Sequence, residues 1–254
     1  MPRFVPAGFR SNLRRWVIAG CLVIALELPG ADLLGENHKT GEPPLVALIV
    51  ANGVTARLSD DKVIANARSL ANSLRGAGFS VTQAENTTDK KLERAFYNFI
   101  DTVPRDALAI VSFSGRVGIV NGQLVPFPVD MNPLGLPPSN HLSDLMAKLA
   151  AKDIRGALWL IDASYKPSVG KGSLRIHVPP KTIVAFSTML HMTLPDERWF
   201  SGSLANGIRS GTSGLAELLE QTRVEVLKRS SGKQVPWELY NGAVEVWDDV
   251  FTRP

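Results

Sequence analysis

Ala107-Leu-Ala-Ile-Val-Ser-Phe-Ser-Gly-Arg-Val-Gly118 is the stretch of sequence that decides the fold. Its first seven residues are almost all apolar, and an apolar run of this length predicts a buried strand. Ser114, Gly115 and Arg116 follow directly. In open α/β sheets, ligands bind beyond the carboxyl ends of the strands. We therefore predict a strand over 107–113 and a functional edge at 114–118.

The same alternation of apolar runs and helical spacing continues on both sides of this stretch. Four further strands are predicted, at 45–50, 79–84, 157–161 and 182–186. Four helices are predicted, at 60–75, about 88–100, about 142–152 and about 214–228. The Asn121-Gly122 pair predicts a hairpin, because its tight turn needs two positive φ angles. Continuous apolar strands separated by amphipathic helices predict a mostly parallel sheet covered on both faces, which is a three-layer α/β/α domain.

The composition is that of an ordinary globular protein. The chain has 254 residues, of which 44% are hydrophobic and 20% charged, and its formal net charge is +4. Because no compact block of Lys and Arg follows the first thirty residues, we expect no nucleic-acid partner. Cys21 is the only cysteine, which excludes internal disulfides and cysteine-ligated metals. No glycine-rich phosphate loop follows a predicted strand, and we expect no metal and no cofactor.

The first 31 residues have the pattern of an export signal. A basic segment at 1–15 precedes an apolar run at 16–26, which is shorter than the roughly 20 residues of a membrane span. Pro29-Gly30-Ala31 is a poor cleavage site. The alternative of an uncleaved signal anchor, which would associate the protein with the inner membrane, therefore stays open. We divide the chain into the leader 1–31, a linker 32–44 and a folded domain 45–254, and expect an exported (periplasmic or secreted) or membrane-anchored protein.

Two segments at the predicted functional edge resemble the catalytic motifs of a protease family. Phe113-Ser-Gly-Arg-Val-Gly118 is similar to the Ser-Gly-His-Gly motif of bacterial caspase-like proteins and metacaspases, and Ile161-Asp-Ala-Ser-Tyr165 to their Asp-Ala-Cys-Arg motif. Further segments resemble the family in order and spacing, at 45–52, 66–79, 121–130, 185–188 and 234–237. The resemblance implies the caspase-like (caspase-hemoglobinase) fold and the activity of a cysteine endopeptidase, with His as the base and Cys as the nucleophile.

Both catalytic positions of that pattern are replaced in this sequence. Arg116 stands at the His position and Ser164 at the Cys position. A guanidinium does not lose its proton near neutral pH, and a serine hydroxyl is a weak nucleophile without a base. Because such a pair acts as a unit, we predict a catalytically inactive pseudoprotease that acts by binding a peptide or protein partner.

The resemblance also gives binding roles to two neighbours of this pair. It implies that the backbone N–H groups of Gly115 and Ser164 form an oxyanion hole, and that Asp162 receives a basic side chain. Arg116 would either recognise a ligand or form a salt bridge with Asp162 or another carboxylate. Asp60 and the residue after it are expected to cap the first helix.

Two alternatives to the pseudoprotease stay open. The protein could be an active endopeptidase that uses Ser164 as a substitute nucleophile, with His177 or His191 as the base. Ser164 lacks the Gly-x-Ser-x-Gly setting of a strained nucleophile elbow. The chain could also be a small-molecule-binding α/β domain unrelated to caspases.

Overall fold

The structure, a computed structural model, describes residues 41–55, 58–131, 140–165, 175–189, 198–242 and 244–252. The strands are β1 (Leu45–Ala51), β2 (Val54–Thr55), β3 (Leu58–Ser59), β4 (Ser80–Glu85), β5 (Leu108–Val120), β6 (Gln123–Pro126), β7 (Gly156–Tyr165), β8 (Thr182–Phe186) and β9 (Trp237–Asn241). The α-helices are α1 (Asp61–Gly76), α2 (Asp89–Thr102), α3 (Leu142–Ala150), α4 (Phe200–Ser210) and α5 (Leu215–Arg229). The predicted leader 1–31 lies outside the described residues, as does all of the linker except its last four residues.

Seven of these strands form one mixed sheet in the order β4-β1-β5-β7-β8-β9, with β6 paired to β5. β4, β1, β5, β7 and β8 are parallel, whereas β6 and β9 are antiparallel to their neighbours. β2 and β3 form a separate antiparallel pair. The prediction of a mostly parallel α/β sheet is therefore confirmed.

Two hydrophobic clusters lie on opposite faces of the sheet. One cluster joins inward-facing residues of α1, α4 and α5 to strand residues such as Ile110 and Leu158, and we call this side the α1/α4 face. The other joins residues of α2 and α3 to Val111 and Trp159, and we call it the α2/α3 face. Successive strand residues alternate between the clusters because side chains in a strand point to opposite faces. The sheet is thus covered on both sides, as a three-layer domain requires.

β5 and β7 are longer than the sequence pattern predicts. We placed the strand ends at Phe113 and Ile161, whereas the strands continue to Val120 and Tyr165. The extension has a pairing reason, since β6 folds back on the second half of β5 and β7 runs beside it. Polar residues in this extension interrupt the apolar run without ending the strand, so the predicted ends were wrong.

The turn between β5 and β6 follows the prediction. Asn121 and Gly122 have φ angles of 49° and 81°, which are the two positive values that the hairpin requires. α4 and β9 had no predicted counterpart. α4 contains Gly202 and Gly207, and glycine weakens the helical pattern on which such a prediction depends.

Candidate functional site

The register between β5 and β7 places Arg116 directly opposite Ser164. In the same register Ser114 is paired with Asp162. Paired residues of parallel strands share a face, and residues two apart on one strand do so too. The side chains of Ser114, Arg116, Asp162 and Ser164 therefore project toward the α1/α4 face, on adjacent strands at the carboxyl edge of the sheet. The structure brings the two predicted motifs together.

The carboxylate of Asp162 is buried against the first turn of α4. Asp162 is 1% exposed, and its Oδ2 accepts hydrogen bonds from the backbone N–H of Ser201 at 3.2 Å and from the Ser201 hydroxyl at 2.6 Å. The hydroxyl of Ser114 lies 3.5 Å from that of Ser201. A negative charge is favourable at a helix N-terminus, where the first N–H groups lack partners. Asp162 thus stabilises the start of α4 in this arrangement.

Arg198 lies at the centre of the site, although the sequence analysis did not single it out. Its Nε donates to Oδ2 of Asp60 at 3.0 Å, and its Nη1 donates to the carbonyl oxygens of Gly115 at 3.2 Å and of Asp162 at 3.4 Å. Its Nη2 donates to the hydroxyl of Ser164 at 3.4 Å. The Arg198 side chain is only 9% exposed. One guanidinium therefore connects α1, β5 and β7.

The main chain around Arg198 is fixed by separate contacts. Its carbonyl oxygen accepts a hydrogen bond from Nδ2 of Asn66 in α1 at 2.8 Å. The following N–H, of Trp199, donates to Oε1 of the fully buried Gln234 at 3.3 Å. The guanidinium of Arg229 lies 5.2 Å from the centroid of the Trp199 ring, within the range of a cation–π contact. The main chain at Arg198 and Trp199 is thus held by Asn66 on one side and by Gln234 on the other.

Asp60 has two roles at this edge. It is the N-cap of α1, where its Oδ1 accepts from the backbone N–H of Val63 at 3.4 Å, so the predicted cap is confirmed. Its Oδ2 holds Arg198. The N–H of Asp60 also donates to the carbonyl of Gly53 at 2.8 Å, so the main chain at Asp60 lies directly beside Gly53.

Gly53→Ala is expected to destabilise the protein by about 1–3 kcal/mol, because overpacking at a close contact forces the backbone to move. A β carbon at Gly53 would lie 2.4 Å from the carbonyl oxygen of Asp60, a main-chain atom that cannot rotate away. Gly76→Ala is the matched control, because a β carbon there meets nothing within 4 Å. Urea unfolding of both variants is the measurement. Equal midpoints would contradict the tight contact between Gly53 and the carbonyl oxygen of Asp60.

Gly115 lies against the loop that follows β1. A β carbon there would lie 3.1 Å from the carbonyl oxygen of Asn52. The Asn52 side chain fixes this loop, since its Oδ1 accepts from the N–H of Thr87 at 2.8 Å and its Nδ2 donates to the carbonyl of Phe127 at 3.0 Å. The backbone of Gly115 is thus held at the edge of the sheet. Its oxyanion-hole role stays a prediction.

Arg116 forms no ion pair with a carboxylate among the described residues, and its side chain is half-buried. The salt bridge to Asp162 that we left open does not form. The physical reason is that the Asp162 carboxylate is turned toward Ser201 and the start of α4. Arg116 is therefore a cation at this edge without a carboxylate partner in the described part of the chain.

Neither described histidine lies beside Ser164. His177 is exposed, and its neighbours Ile176 and Val178 pack on the α2/α3 face, which is opposite to the face of Ser164. His141 is the N-cap of α3, a helix of that same face. His191 lies outside the described residues. The structure therefore does not bring His177 to the predicted nucleophile position.

In the described part of the chain, no three His, Asp or Glu side chains are grouped as metal ligands. None of its helices is long and apolar enough to cross a membrane.

A mostly parallel sheet lies between two helix layers, and both motifs are on adjacent strands at its carboxyl edge. These features define an α/β domain with a caspase-type arrangement. Residues 45–243 match the family model described as the caspase domain. The chain belongs to the caspase domain family. A search of curated proteins finds no match to this sequence.

Proposed function

We propose that this protein is a non-catalytic member of the caspase family that acts by binding a peptide or protein at the carboxyl edge of its sheet. The surroundings of Ser164 carry the proposal. Its hydroxyl is contacted by the guanidinium of Arg198 at 3.4 Å, and its partner in the sheet register is Arg116. A guanidinium has only donors and keeps its proton at neutral pH, so neither arginine can serve as a general base.

The described carboxylates at this edge, Asp162 and Asp60, do not supply a base either. The Asp162 carboxylate is buried and accepts a hydrogen bond from the Ser201 hydroxyl. The Asp60 carboxylate accepts a hydrogen bond from Nε of Arg198, whereas the Ser164 hydroxyl accepts one from Nη2 of the same guanidinium. A serine without a base within hydrogen-bond reach is a weak nucleophile. This arrangement supports binding without turnover.

The second candidate is an active endopeptidase with Ser164 as the nucleophile. One observation favours it, namely that Ser164 is half-buried and stands at the nucleophile position of the motif within the matched caspase region. The neighbours of His177 pack on the α2/α3 face, so His191 is the remaining histidine candidate for the base of such an enzyme.

Reaction of the full-length chain with a fluorophosphonate probe separates the two candidates. We expect no labelling at Ser164 and no hydrolysis of fluorogenic peptides that carry Arg, Lys or Asp before the scissile bond, because the described contact of the hydroxyl is with a guanidinium and not with a base. Ser164→Ala is the control and should give the same background. Labelling and hydrolysis that both disappear in Ser164→Ala would establish the endopeptidase instead.

Binding at the edge of the sheet is tested by affinity capture with wild-type protein and two charge-reversal variants. Arg116→Glu changes the charge at the site, and Arg94→Glu makes the same change at an exposed position on α2. We expect captured partners to be lost with Arg116→Glu and kept with Arg94→Glu. An identical bound set for all three proteins would exclude this edge as the binding surface.

A further inference from the structure

Four oxygen acceptors converge on the guanidinium of Arg198. They are the Asp60 carboxylate, the carbonyl oxygens of Gly115 and Asp162, and the Ser164 hydroxyl, at donor–acceptor distances from 3.0 to 3.4 Å. The planar guanidinium suits such a set because it presents five N–H donors in a fixed fork. At 9% exposure the side chain has lost nearly all its contact with water. A buried charge of this kind persists only where it is paired and hydrogen-bonded.

We propose that these four groups form a guanidinium-binding site, that the chain fills this site with its own Arg198, and that this internal occupant keeps the basic side chains of a bound peptide away from Ser164. The first part concerns the folded protein alone. The second part rests on the proposed function, because it requires a peptide at the edge of the sheet.

The acceptors are positioned independently of the Arg198 side chain. The carbonyls of Gly115 and Asp162 belong to paired strands, and Asp60 is held as the N-cap of α1. The main chain at Arg198 is fixed by Asn66 through its carbonyl oxygen. Truncating the side chain should therefore leave a lined vacancy in place, which a small guanidinium compound can enter.

The charges at this edge support the exclusion of basic side chains. The carboxylate of Asp162, which the family resemblance assigns to a basic side chain, is buried beneath Ser201. The Asp60 carboxylate is paired with Arg198. Arg116 adds a second cation on the face of Ser164. A basic side chain would therefore meet guanidinium groups here, unless Arg198 left its position.

Chemical rescue of Arg198→Ala tests the site. Ethylguanidinium replaces the atoms that this substitution removes, and a ligand that binds only the folded state raises its thermal midpoint. At tenfold its dissociation constant, ethylguanidinium is expected to raise the midpoint of Arg198→Ala by about 3–6 °C. Tetramethylammonium should have no such effect, since it has the charge without N–H donors.

Wild-type protein and Arg68→Ala are the matched controls. The wild-type site is filled, and Arg68→Ala removes an arginine whose side chain is 62% exposed in its ion pair with Glu85, which leaves no enclosed vacancy. A stabilisation equal in all three proteins, or none in Arg198→Ala, would overturn the proposed site.

If Arg198→Ala is unfolded in buffer, the titration becomes a refolding assay. Recovery of the folded circular dichroism signal with ethylguanidinium alone would support the site, and no recovery at any concentration would oppose it.

A fluorescent peptide that ends in argininamide tests the exclusion. We expect Arg198→Ala to bind it at least tenfold more tightly than the wild type does, and ethylguanidinium to compete. Equal affinity of the two proteins for the peptide would overturn the exclusion. The thermal measurement with ethylguanidinium tests the guanidinium site without any peptide. If ethylguanidinium stabilises Arg198→Ala but neither protein binds the peptide, the guanidinium site is supported and the proposed peptide-binding function is not.

Discussion

Asp162→Ala is expected to lower the free energy of unfolding by about 3–5 kcal/mol, because it leaves buried donors unpaired and removes a negative charge from a helix N-terminus. The carboxylate accepts hydrogen bonds from both the N–H and the hydroxyl of Ser201, and the residue is 1% exposed, so these donors are shielded from bulk water. Urea unfolding of the variant and the wild type is the measurement.

Two serines of α4 provide the controls for this prediction. Ser201→Ala removes one of the two donors and should cost less than Asp162→Ala, and the double variant should lose less than the sum, because contacting residues are not additive. Ser203 is 5% exposed, and its hydroxyl has no hydrogen-bond partner among the described residues, so Ser203→Ala should stay within about 0.5 kcal/mol of the wild type. A loss from Asp162→Ala no larger than that from Ser203→Ala would contradict the helix-capping role.

Ser164→Cys is expected to create an unusually acidic thiol. A cation within about 4–6 Å lowers the pKa of such a group by about one to two units from the ordinary thiol value near 8.5. The guanidinium of Arg198 lies 3.4 Å from the hydroxyl that the thiol replaces. The rate of alkylation by iodoacetamide, measured against pH in a Cys21→Ser background, reports the ionisation, because Cys21 is the only cysteine of the natural chain.

The same measurement with Arg198→Gln added isolates the cause. This substitution keeps a polar side chain and removes the charge, so the thiol pKa should return toward the ordinary value. A thiol whose pKa does not respond to Arg198→Gln would show that the guanidinium is not beside position 164 in solution. We expect the reactive thiol to hydrolyse no peptide, because no described residue supplies a proton-accepting partner.

The core of the fold was predictable because its signals are local. Apolar runs and helical spacing gave β1, β5, β7 and β8 together with α1 and α5, since each element must bury one face or both. The ends of β5 and β7 were not predictable in this way. Their outer parts contain Ser, Gly and Arg in β5 and Asp and Ser in β7, and they are kept in the strands by pairing with β6 and with each other.

The candidate site was only partly predictable. The order of short motifs indicated Arg116 and Ser164, and residue identity alone shows that neither is a His or a Cys. Arg198 could not be recognised, because a single arginine before an unpredicted helix has no local signature. Its partner Asp60 lies 138 positions away, and Ser201, the partner of Asp162, lies 39 positions away.

The sequence by itself determined the fold class, the family likeness and the absence of a thiol and a histidine at the two motif positions. Only the tertiary structure decided which way Asp162 faces, that the neighbours of His177 pack on the far side of the sheet, and that Arg198 is buried beside Ser164. The physical reason is that periodicity shows which face of its own element a residue occupies. The partner that meets this face is set by the packing of elements distant in the chain.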